Sequence, residues 1–229
     1  MPATRSRAAA GLLTGLLLLA GCGDLEEAAS AKGIASNNLV SQMVTQLSAS
    51  NTLTYTAAYH LAGGGDATVT QAQNPPRTSF EYPSGRLLLT DKATTACSAG
   101  ACTVTAPPGG GARLPAGTFA AAQQTGMIAP ATVIALLDTA ALDTAVTVTP
   151  HDTTLAGHHA TCLDLGGVDD ASARNFTVCV TSDGVLGTFK GTVTGAEIDM
   201  TLTGYEPSAP AGAFTTPPGA KVTDKRKPA

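Results

Sequence analysis

The chain of 229 residues contains no tryptophan, only 4 tyrosines and only 5 phenylalanines. Its interior must therefore rest on Leu, Val, Ile, Ala and Thr methyls rather than on large aromatic anchors. Charged residues make up just 13% against 43% hydrophobic residues. That balance excludes a disordered polyampholyte, which stays unfolded because it is too polar to collapse. The formal net charge is −4. A nucleic-acid binder needs a basic footprint, and none is present. Also missing are G-x-S-x-G, H-E-x-x-H, a P-loop and a strand-borne G-x-G-x-x-G. Asp169 and Asp170 are neighbours in a polar stretch, so their carboxylates diverge. No enzyme activity is expected, and no cofactor.

What is present begins at the N-terminus. Arg5 and Arg7 precede an apolar run from Leu12 to Ala20. At roughly nine residues the run is too short for a hydrocarbon layer that needs ~20. It reads as a signal peptide over 1–21. The run closes on Leu19-Ala20-Gly21-Cys22, which resembles the bacterial lipobox at all four positions. The resemblance implies that Cys22 carries a diacylglyceryl group and becomes the first residue of an acylated chain. The implied partner is a membrane, and the implied location is its extracytoplasmic side. Two or more acyl chains anchor durably where one does not.

The count of 5 cysteines is odd. With Cys22 assigned to lipid, Cys97, Cys102, Cys162 and Cys179 remain, and an oxidising compartment should pair them. Four cysteines allow three pairings. Local patterning favours Cys97–Cys102 across a short turn and Cys162–Cys179 between two extended stretches. Loop-entropy estimates are about 2 and 3 kcal/mol. A rival zinc site would join His151, His158 and His159 to Cys162. The cysteine spacings are not CxxC, so no metal is expected.

Residues 22–30 read as an acidic tether. A helix is expected over 31–47, because Val40, Met43, Val44 and Leu47 recur at helical spacing. Short alternating stretches then predict an antiparallel meander through residue 102. Residues 118–124 suggest a short helix. Residues 130–142 suggest a longer one with proline at its start, apolar over more than one stripe. Strands return over 144–150, 158–165, 176–181, 185–193 and 196–205. Beyond 207 the chain is Pro/Ala-rich, with Phe214 as a lone anchor, and is expected to be partly disordered.

This order resembles the LolA-like superfamily, and within it the anchored LppX/LprG-type lipoproteins. It runs lipobox, helix, strands, central helices, strands, then Phe214-Thr215-Thr216-Pro217-Pro218-Gly219. The turn-and-strand Ser182-Asp183-Gly184-Val185-Leu186 adds to the likeness. The resemblance implies one α+β domain over 31–206: a strongly curved antiparallel half-barrel with a few helices on its concave face. It implies binding of a lipid or acyl chain and its carriage within the cell envelope. Strand parity nominates Tyr55, Tyr59, Phe80, Leu88, Val133, Ile134, Leu137, Val178, Phe189 and Met200 as cavity walls. The alternative is a tethered module that shows loops such as 107–111 and 166–173 to an envelope protein, with no small ligand.

Overall fold

The structure is a computed structural model that describes residues 24–107, 117–169 and 171–226, with side chains described from residue 35 onward. The leader, the lipobox and Cys22 lie outside these residues, as does most of the loop 107–111.

The first element, α1 (Asp24–Ala49), is longer than its expected 31–47. Residues 24–30, read as a tether, continue the helix. Leu, Glu and Ala are strong helix formers, and acidic residues suit a helix N-terminus. Val40, Met43 and Leu47 are buried on one face, as their spacing requires.

Six strands follow: β1 (Tyr55–Leu61), β2 (Asp66–Gln73), β3 (Pro76–Tyr82), β4 (Gly85–Thr90), β5 (Thr94–Ser98) and β6 (Ala101–Thr105). Two helices come next, α2 (Ala120–Gln124) and α3 (Pro130–Leu142). The limits of α3 are those expected from its leading proline and its apolar pattern. Then come β7 (Thr147–Leu155), β8 (His158–Gly166), β9 (Asn175–Thr181), β10 (Leu186–Val193), β11 (Ala196–Glu206) and β12 (Lys221–Asp224).

All twelve strands form one sheet in the order β12-β6-β5-β4-β3-β2-β1-β11-β10-β9-β8-β7. Every pair is antiparallel except β12 with β6. Two meanders are thus joined through β1 and β11, whose ladder carries a register shift between Ala58 and Tyr59. The sheet is open and curved. β7 touches β11, although three strands separate them in the sheet order. In a flat sheet they would stand on the order of 19 Å apart at the usual strand spacing.

Three hairpins turn on an X-Gly pair. Ala99-Gly100, Ala156-Gly157 and Thr194-Gly195 all have positive φ at both positions. Such a turn matches the twist of the strands it joins, and glycine removes the strain at the second position.

The C-terminal segment differs from its expectation. Composition alone suggested a loose tail from 207. Instead the chain runs along the face of the sheet opposite the main core. Thr56 Oγ1 donates to the Ser208 carbonyl at 2.8 Å. The Arg77 guanidinium lies over the Phe214 ring, 4.2 Å from its centre. Arg86 Nη1 donates to the Thr215 carbonyl at 2.9 Å. The segment then adds β12 to the edge beside β6, with Lys221 N donating to the Gly100 carbonyl at 2.9 Å. The unpaired edge of β6 supplies the hydrogen bonds that a Pro/Ala count cannot anticipate.

Both expected cysteine pairs are bonded, Cys97–Cys102 and Cys162–Cys179. Each joins residues that stand directly opposite in an antiparallel ladder.

Candidate functional site

One apolar cluster unites the helices with the sheet. It takes Val40, Met43 and Leu47 from α1, and Val133, Leu136, Leu137 and Ala140 from α3. From the strands it takes alternate residues: Tyr55, Ala57, Tyr59 and Leu61 of β1, and Ile198, Met200 and Leu202 of β11. Period-two alternation places these on one face of the sheet.

Eight of the ten nominated wall residues belong to this cluster: Tyr55, Tyr59, Phe80, Val133, Leu137, Val178, Phe189 and Met200. Ile134 is half-buried and packs against it. Leu88 does not. It is 5% exposed but lies outside the cluster, which its neighbour Leu87 enters instead. In the run Leu87-Leu88-Leu89 every residue is apolar, so parity could not be read. Leu88 stands in a row with Ser79 and Thr95 on the opposite face, where the C-terminal segment runs. The approach to α3, Met127-Ile128-Ala129, is buried in the same cluster and was not nominated. Its three successive apolar residues after Gly126 are the one signal that could have marked it.

The few aromatics are concentrated here. The Phe176 and Phe189 rings stack with centres 5.6 Å apart. Phe80 meets Phe119 edge-on at 4.9 Å. Tyr55 stacks on Tyr205 at 6.1 Å, and Tyr205 meets the His158 ring edge-on at 5.0 Å. Tyr59 is fully buried, and its hydroxyl donates to the Leu186 carbonyl at 2.9 Å, which satisfies its one polar group.

No charged side chain is buried among the described residues; apart from the tyrosines, the buried polar ones are Ser and Thr alone. Such an interior holds no carboxylate or amine for acid–base work.

Burial also moves the phenols. It pushes Tyr55 up to about 12, with the Tyr205 phenol adding to the effect. Tyr59 is driven well above the usual range, by burial first and by Tyr55 second. Tyr82 and Tyr205 are raised too, both mainly by burial. A raised folded value means that the neutral phenol is favoured. The matching stability is complete below pH ~10 and is lost as pH climbs toward 12. The expected result is an ultraviolet titration in which the tyrosinate band of the folded chain lags well behind that of the unfolded chain. Coincident titrations would show the rings to be solvated.

Three clefts open elsewhere. One of about 310 Å3 lies between the β3–β4 and β5–β6 hairpins and Pro217. One of about 670 Å3 lies between Gly63–Gly65, Gln124 and Asp199. One of about 570 Å3 lies between α2 and the Thr194-Gly195 turn. All three are open to solvent, and none is lined by a nominated wall residue.

No family model and no curated protein matches the chain. Solved structures do. MucB aligns with a TM-score of 0.50 at 10% identity, over 80% of this chain and 64% of its own. The chain thus spans less than two thirds of MucB. An uncharacterized conserved protein from Thermus thermophilus aligns at 0.49 and 8% identity, over 81% of this chain and 98% of its own. LprF from Mycobacterium bovis aligns at 0.38 and 13% identity, over 80% and 98%. At such identities the MucB likeness speaks for the fold alone. That fold is one large, curved, almost wholly antiparallel sheet with few helices.

Proposed function

We propose that this chain is a lipid-anchored envelope protein that binds a lipid or acyl chain between α1, α3 and the concave face of its sheet, and carries it across the envelope. It performs no catalysis. The observation that carries the reading is the uncharged apolar layer joining α3 to the sheet. Among the described residues, no side-chain hydrogen bond ties Pro130–Leu142 to a strand. The helix is held by apolar contact, which an acyl chain can replace in kind. A chain of about fourteen methylenes, at ~0.8 kcal/mol each, returns on the order of 11 kcal/mol when buried. That gain is reckoned from water, and the cost of parting α3 from the strands is set against it.

The lipobox ahead of α1 fits the same reading, because a tethered carrier stays beside its donor membrane. The test uses the chain with Cys22→Ser and a fluorescent long-chain fatty acid. Saturable uptake of one probe per chain is expected, with competition by unlabelled fatty acid. A signal that never saturates, or none, would count against the proposal.

The second reading, a tethered protein-interaction module, draws on the three solvent-open clefts. It would gain if uptake failed while the fold remained intact.

A further inference from the structure

The β7–β8–β9 end of the sheet brings a set of ligating atoms together across three strands: His151, Cys162 and Cys179. His151 stands opposite Cys162 across β7 and β8, and Cys162 stands opposite Cys179 across β8 and β9. Directly opposed residues of antiparallel strands share a face. The three therefore form one row, and their ligating atoms all lie within 4.8 Å of one another. The next position along β8 on that face is Asp164. Its Oδ2 is 3.4 Å from His151 Nδ1. Its Oδ1 accepts a hydrogen bond from Thr177 Oγ1 at 2.7 Å. The sulfurs sit in a small apolar cluster with Ala160 and Leu155, while the His151 side chain is 46% exposed.

In the oxidised protein the two sulfurs are bonded to each other and make poor ligands. We propose that reduction of Cys162–Cys179 by a dithiol converts this row into a binding site for a thiophilic divalent cation, Zn2+ above all. The dithiol becomes a disulfide, and the protein gains two thiols. Metal binding then releases two protons, one from each thiol, and forms two metal–thiolate bonds and one metal–imidazole bond. Solvent completes the fourth position on the exposed side. Asp164, fixed by Thr177, orients the imidazole in the way that carboxylates commonly support a ligating histidine. A Cys2His set suits Zn2+, whose ligands lie at about 2.0–2.3 Å from the metal. The absence of a CxxC spacing is no obstacle, because the ladder brings the ligands together.

The test uses the chain with Cys22→Ser, Cys97→Ser and Cys102→Ser, so that one pair remains. After reduction and removal of reductant, Co2+ is titrated under nitrogen. The expected result is one equivalent bound with thiolate-to-cobalt charge-transfer absorption, displaced by Zn2+, and none for the oxidised sample. His151→Ala should weaken binding at least about tenfold, and Asp164→Asn about tenfold. Far-UV circular dichroism follows the sheet. A parallel sample that keeps Cys97 and Cys102 should show the same single His151-dependent equivalent. A reduced, folded chain without the absorption would overturn the proposal. So would an affinity indifferent to His151→Ala, or a sheet that melts on reduction.

Discussion

Phe189→Ala is expected to cost the fold about 3–5 kcal/mol, a fall in melting temperature of roughly 6–20 °C. Phe189 is 0% exposed and stacks on Phe176. It sits on β10 between β9 and β11, where Val178 and Met200 stand opposite it on either side. Deleting its ring removes contacts from three strands at once. β-Sheet neighbours fixed by their ladders cannot close the gap, so most of the cavity term remains. Phe189→Leu keeps most of the volume and should cost no more than about 1.5 kcal/mol. Chemical denaturation of both variants measures the difference. A loss below about 1 kcal/mol for the alanine variant would mean that the ring faces unfilled space rather than packed neighbours.

The second large effect concerns location. Wild-type protein should incorporate labelled palmitate and pellet with membranes. Cys22→Ser should incorporate none and appear in the soluble fraction. The effect is close to all-or-none, because several acyl chains bind far more tightly than one. Among the described residues no helix is long and apolar enough to cross a membrane. Stability should not change. Among the described side chains of α1, the first buried one is Val40, well after the lipobox. Persistent labelling, or a variant that still pellets, would contradict the lipobox reading.

Much of the secondary structure was legible because the signals were local. Pro130 and the apolar run behind it marked α3 from end to end. Gly-containing turns cut the strands, and their limits moved by only a residue or so in most cases. β7 is the exception. It continues past Pro150 to Leu155. As an edge strand it can accept a proline whose missing N–H would face solvent. What the sequence could not show was non-local. Nothing in β1 or β11 announces that they pair, yet their ladder makes two meanders into one sheet. The C-terminal segment looked unstructured because its partners, Thr56, Arg77, Arg86 and the β6 edge, lie far back in the chain.

The same limit governed the site. Strict alternation in β1 and β11 put Tyr55, Tyr59 and Met200 on the core face, where the structure has them, since every second residue is apolar. In β4 three leucines ran together, and Leu88 was assigned to the wrong face. In α3 the apolar surface covers more than half the helix. Spacing alone could not say that Leu136 would be buried more deeply than Ile134.

The central claim is that the layer between α3 and the sheet holds an acyl chain. Native mass spectrometry tests it most directly, on the chain with Cys22→Ser purified without detergent from cells that export it. The account predicts a species heavier than the polypeptide by one lipid, which is lost on unfolding and identified in the organic extract. A single species at the bare polypeptide mass, unchanged after incubation with phospholipid vesicles, would contradict it.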